Sequence, residues 1–126
     1  MIEFEQLRDI DMDMELMREH AAEASALLKS LSNPSRLLVL FALVTREHTA
    51  GELEEFTGIS QSAISQHLAR LREADIVATR RDAQRIFYSL KNQAVRAVLE
   101  TLHGLYCPEK PINHDWVKTD EGVIHE

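Results

Sequence analysis

The sequence predicts a mainly α-helical fold carrying one small β-hairpin. Glycine and proline are scarce, four and three among 126 residues, which favours helices over a sandwich or barrel. Apolar residues recur at helical spacing as far as Ala74 and then alternate over two short stretches, the pattern of paired strands. The length suffices for one domain with a small core.

The first ten or so residues read as weakly ordered. A helix then begins after Asp13 and runs to Ser30 or Leu31, with Met17, Ala21, Ala24, Leu28 and Leu31 at heptad-like spacing. "SNPSRLLVLFALV" opens a second helix. Asn33 is a favourable N-cap, and Pro34 sits at the first helical position, where its missing N–H costs nothing. Leu37, Leu40, Phe41 and Val44 are expected on its inner face, and Arg46 to His48 end it. "TAGELEEFTG" is a short third helix whose Thr49 and Glu52 have capping-box spacing. Its Leu53 and Phe56 are expected to point inward. Gly58 supplies a residue able to take positive φ just past the helix end. Only Ile59 and a new N-cap, Ser60, separate it from a fourth helix over 60–74. Two short helices joined by a tight glycine turn read as helix-turn-helix.

From Ile76 to Leu90, "IVATRR" and "RIFYSL" flank "DAQ" as a hairpin with Arg80, Arg81 and Arg85 around its tip. Asn92 caps a last helix carrying Val95, Val98, Leu99, Leu102 and Leu105 on one side, and Pro108 stops it. The tail reads as irregular or partly disordered. Helix-turn-helix plus basic hairpin is a winged helix.

The fourth helix is chemically unusual. "SQSAISQHLARL" puts three serines and two glutamines on a helix, although serine competes with the helical backbone for hydrogen bonds. In a winged helix the second helix of the motif enters the major groove and presents its N-terminal residues to base edges. Gln61 and Gln66 can contact adenine bidentately, and Ser62 and Ser65 can contact base edges or phosphates. Ile64, Leu68 and Leu71 fasten the opposite face to the core. Ser60, at the helix N-terminus, and Arg70, further along with Arg72, are placed to meet phosphates. Arg80, Arg81 and Arg85 would reach backbone or minor groove beside the helix. The plainer alternative is that these polar residues only face solvent.

Charge is distributed to match. The net charge of −7 is concentrated at the ends. Residues 1–24 carry −6 and residues 107–126 carry −3, whereas 60–96 hold seven basic against three acidic residues. A local basic surface is what a phosphate backbone responds to. Other classes find no support. The longest apolar run, Leu37 to Val44, is eight residues and too short to cross a bilayer. The acidic N-terminus is neither a signal nor a transit peptide. A lone cysteine excludes an internal disulfide framework. The reading is a soluble, cytoplasmic protein without membrane partner or cofactor. No nucleophile–base pair, Gly-rich phosphate loop or usefully spaced carboxylate pair suggests an enzyme.

"LLKSLSNPSRLLVLFAL", "GELEEFTGISQSAISQHLARLREADIV" and "RRDAQRIFYSL" resemble the ArsR/SmtB family of bacterial transcriptional repressors over about residues 25–107. The second and third stretches, with "LHGLYC", resemble its HlyU/BigR/SqrR branch. The resemblance implies a homodimeric winged helix, built through its first and last helices, that occludes double-stranded operator DNA until an effector releases it. The long apolar stripes of both terminal helices independently favour a dimer, which would place two recognition helices about one DNA turn apart over an inverted repeat. Three regions follow: an acidic extension over 1–14, a DNA-binding and dimerisation domain over 15–106, and a tail over 107–126. A winged-helix protein-interaction module without DNA binding is the rival reading.

The effector is less defined. The family's cysteine-rich third-helix metal motif is absent from "GELEEF", and its last-helix metal motif from "NQAVRAVLETLHGLY". His103 and Cys107, at i and i+4 with Glu100 a turn earlier, could form half a metal site completed by His114 or His125 from the tail. The branch resembled here implies sensing of reactive sulfur or oxidants through two cysteines. One maps onto Cys107, and the other onto Phe41, so a link within one chain is impossible. A single-thiol switch, a Cys107–Cys107 bridge across a dimer, or an inert semi-buried thiol remain. The helix C-terminus disfavours a thiolate at Cys107. His67 reads as a packing or hydrogen-bonding residue, and His20 and His48 as exposed.

Overall fold

A computed structural model of the chain describes residues 13–110, 112, 117–119 and 122–124. Helix α1 (Met14–Leu31) starts where the Asp13 side chain accepts the Leu16 N–H. It therefore begins one residue inside the expected N-terminal extension; residues 1–12 of that extension lie outside the described residues. Helix α2 (Pro34–Thr45) is capped by Asn33, whose Oδ1 accepts the Arg36 N–H at 2.9 Å. A two-residue strand β1 (His48–Thr49) leads into α3 (Ala50–Thr57). There the capping box is reciprocal. Thr49 Oγ1 accepts the Glu52 N–H at 3.1 Å, and Glu52 Oε1 accepts the Thr49 N–H at 3.0 Å. Gly58 ends α3 at φ 73°, and Ser60 caps α4 (Gln61–Glu73) by accepting the Ala63 N–H.

Strands β2 (Val77–Asp82) and β3 (Arg85–Leu90) form the hairpin, with Asp82 opposite Arg85. The connection is therefore two residues, Ala83 and Gln84, and not the three of "DAQ"; Ala83 takes a positive φ of 58°. Asn92 caps α5 (Gln93–Tyr106), and Cys107 ends it. Among the described residues no single helix is long and apolar enough to cross a membrane.

The core joins Leu31, the α2 residues Val39, Leu40, Leu43 and Val44, Leu53, the α4 residues Ile64, Leu68 and Leu71, Ile76, Val77, Leu90, Val95 and Leu99. α2 is its hub, because α3, α4, α5 and β3 all pack on it. Being enclosed from several sides, α2 buries a wider arc than a one-sided stripe allows. Val39 and Leu43 are fully buried, whereas Leu37 and Phe41 of the expected inner face are only half-buried.

Three further expectations are corrected. Phe56 does not point inward; it is 65% exposed, and Leu53 is the one fully buried residue of α3. Its ring instead stands edge-on to His48, 5.1 Å between centroids, with Arg46 over it. His48 is not exposed but buried, because β1 pairs with β3, His48 facing Tyr88 and Thr49 facing Phe87. That pairing makes the hairpin a three-stranded sheet in the order β1-β3-β2. In keeping with a stripe longer than one chain covers, along α1 only Leu31 is buried and Leu27 half-buried; Met17, Ala21, Ala24 and Leu28 are exposed in the single chain. Lastly, the described tail is irregular only in part: Pro108 to Lys110 form a turn and bend, but β4 (Val117–Thr119) and β5 (Gly122–Ile124) pair antiparallel.

Candidate nucleic-acid interface

The fourth helix divides as its chemistry requires. Ile64, Leu68 and Leu71 are almost wholly buried, while Gln61, Ser62, Ser65, Gln66 and Arg70 are all exposed. Ser60 is exposed too, and its Oγ sits 3.4 Å from that of Ser62. The first turn of α4 thus offers hydroxyls, amides and helix N–H groups to one side, with no side chain longer than glutamine to hold a partner away. Three apolar anchors at i, i+4 and i+7 fix that side's direction. Burying three such side chains contributes about 1.5–3 kcal/mol each, so the helix cannot roll without losing its anchorage. His67 lies half-buried beside the exposed row. Burial, then the positive charges of Arg36 and Arg70, push its pKa below the usual histidine value.

The sheet places its arginines differently from one another. Arg80 grips Glu47: Nε donates to both carboxylate oxygens at 2.9 and 3.1 Å, and Nη2 donates to Oε1 at 2.6 Å. This fork-on-carboxylate pairing holds the guanidinium protonated, its pKa raised first by the Glu47 hydrogen bond. The same guanidinium stacks over Phe87, 4.4 Å from the ring centroid. Arg85 stacks over Phe87 as well, at 4.8 Å, and its Nη2 stands 3.6 Å from Glu52. Arg81 is exposed and has no ion-pair partner among the described residues.

Glu47, Glu52 and Phe87 therefore join the surface although sequence reasoning did not single them out for it. Glu52 was legible as a cap, yet it also meets Arg85, Arg46 (3.9 Å) and His48 Nδ1 (3.3 Å). That last contact is close but lacks hydrogen-bond geometry, and Nδ1 is buried without a hydrogen-bond partner. His48 Nε2 lies 3.1 Å from the Ala42 carbonyl. Burial first, then Arg46, lowers the His48 pKa against the opposing pull of Glu52.

The candidate effector residues are not brought together. Cys107 is exposed, not semi-buried, and its N–H donates to the His103 carbonyl at 2.7 Å. Among the described residues no group of three or more His, Cys, Asp or Glu could hold a metal ion. His114 and His125 lie outside the described residues. Phe41, at the position of the missing second cysteine, packs half-buried against the core.

Residues 33–79 match the family model described as bacterial regulatory protein, arsR family. The chain is 52% identical over 93 residues to the HTH-type transcriptional regulator YgaV of Escherichia coli K12, covering 73% of this chain and 94% of that one. It is 44% identical over 101 residues to the transcriptional activator HlyU of Vibrio cholerae serotype O1, covering 80% and 94%. Among solved structures, the transcriptional repressor BigR of Xylella fastidiosa superposes with a TM-score of 0.71 at 42% identity, covering 76% of this chain and 98% of that one.

Proposed function

The chain belongs to the arsR family of bacterial regulatory proteins and is a DNA-binding transcriptional regulator, and from that premise we propose that it acts as a cytoplasmic homodimer repressing transcription at an inverted-repeat operator. The observation that carries the reading is the division of α4: an exposed Ser/Gln row backed by three buried anchors. Gln61, Ser62, Ser65 and Gln66 read base edges in the major groove. Ser60, Arg70, Arg81 and Arg85 hold phosphates, and Arg80 reaches one only by exchanging Glu47 for it. Repression follows from occlusion of the promoter, a reading supported by the repressor among the relatives. A transcriptional activator also stands among the relatives, and would correspond to the opposite sign of regulation.

Release requires an effector. Cys107 is an exposed thiol, which supports a single-thiol response to an oxidant or reactive sulfur as the form of the signal.

The test is selection of the cognate duplex from random sequence, followed by titration of variants. Gln66→Ala should cost about 1–3 kcal/mol at the cognate site and leave random DNA unchanged. Arg81→Ala should weaken both equally and flatten the salt dependence by about 0.9 in slope. Equal losses for Gln66→Ala on cognate and random duplex would remove the base-reading role.

A further inference from the structure

Between the α1–α2 junction and the second half of α4 lies a notch of about 220 Å³ lined by Lys29, Ser30, Arg36, Arg70 and Leu71. Three of these five carry a positive charge and none a negative one. Lys29 belongs to the last turn of α1, Arg36 to the first turn of α2 and Arg70 to α4, so three separate elements converge their cations on one small hollow. None of the three has an acidic partner among the described residues.

Arg36 is the telling member. Its Nη1 donates to the Ser30 carbonyl at 2.9 Å, which caps the C-terminal end of α1 and accounts for part of the guanidinium. Its Nε is buried and has no acceptor. A buried guanidinium N–H left without an acceptor costs more than an ordinary amide, so this guanidinium is not fully satisfied within the chain. The negative end of the α1 dipole accounts for a cation at Lys29, but not for Arg70, which comes from a different helix.

We propose that this notch is a phosphate-type oxyanion site formed by Lys29, Arg36 and Arg70, and that its occupant in the working complex is a backbone phosphate of the bound duplex. The proposal rests on the DNA-binding reading of α4 for the source of the phosphate, but not for the site itself. Placement favours the duplex as the source. Ser62, Gln66 and Arg70 stand at i, i+4 and i+8, one line along the exposed side of α4. Eight residues of helix span about 12 Å, close to the width of the major groove. With Ser62 over the bases, Arg70 lies at the groove edge, where the strand's phosphates run. The α1–α2 junction then becomes part of the DNA footprint, although it lies outside the helix-turn-helix and wing.

The experiment uses the full chain, a fluorescein-labelled 30-bp duplex of random sequence, and Lys29→Gln and Arg70→Gln. Both side chains are exposed, so neither change threatens the core. Binding is followed by anisotropy from 50 to 200 mM NaCl. Each variant should lower the slope of log affinity against log salt by about 0.9, a threefold smaller loss over that range. In parallel, thermal unfolding without DNA compares sodium phosphate with sodium chloride at equal ionic strength. Lower slopes without any phosphate-specific stabilisation support a backbone phosphate. Lower slopes together with stabilisation of wild type but not of the variants support a site that also takes the free ion. Stabilisation with unchanged slopes overturns the duplex as source. Unchanged slopes without stabilisation overturn the site. A wild type that binds no duplex at 50 mM salt defeats the DNA reading instead, and the phosphate arm still decides the notch.

Discussion

Glu47 decides what the wing can offer DNA. Its carboxylate takes three hydrogen-bond contacts from Arg80, and only 14% of its side chain is exposed, against 42% for Arg80. An arginine held this way is charged but already answered, so its attraction for a phosphate is largely cancelled at short range. Arg80→Ala in the native background should therefore leave the salt slope on random duplex unchanged. Glu47→Gln should release the guanidinium, steepen that slope by about 0.9 and raise affinity for all sequences alike, lowering discrimination. Anisotropy titration of the two single variants and the double variant checks this. A flattened slope for Arg80→Ala alone would show that the pair opens on DNA. The sequence showed Arg80 as a basic residue near a hairpin tip, but not its partner. The two residues are 33 positions apart and meet only because β1 joins β3. His48 and Phe56 are hidden from the sequence for the same reason. A two-residue strand carries no periodicity to read, and its pairing buries the histidine while Phe56 remains outside.

At the scale of elements, legibility followed locality. Asn33, Thr49, Ser60 and Asn92 all cap the helices expected of them, because a cap is a hydrogen bond across three residues and needs no distant partner. The anchors of α4 were equally legible, being a stripe on one side of a helix with a polar opposite face. α2 was less so, since enclosure by four neighbours erases the contrast between its faces. The turn between α3 and α4 is the sharpest case of local encoding. Gly58 sits at φ 73° and ψ 8°, and a Cβ placed there would touch nothing within 4 Å. The cost of Gly58→Ala is therefore backbone strain without a clash. It should destabilise the fold by about 1–2 kcal/mol in urea unfolding, with Gly58→Asn losing less because asparagine tolerates that conformation. A loss well beyond that range would mean that the residue also sets the angle between α3 and α4.

At the scale of the molecule, the two ends of the chain do not finish their packing. Met14, Leu16, Met17 and Leu28 on α1, and Leu105 and Tyr106 on α5, are all exposed. Apolar residues scattered singly are ordinary on a surface, but here they lie along two helices whose stripes extend past the core they serve. α5 buries Val95 and Leu99 in its first half, half-buries Leu102 and exposes its last three residues; α1 buries only Leu31 at its far end. A second copy covering both helices would complete them and set two α4 helices facing one side of a duplex. Leu28 tests this well, because at 56% exposure it contributes little to the protomer's own core. Sedimentation velocity at micromolar concentration should show a dimer for the native chain and a monomer for Leu28→Glu, with helical circular dichroism retained. Binding to the inverted repeat should fall at least about tenfold, since a lone protomer holds one half-site without its neighbour's contribution. A Leu28→Glu chain that still sediments as a dimer would move the seam off α1. It would leave α5, through Leu105 and Tyr106, to carry the association alone.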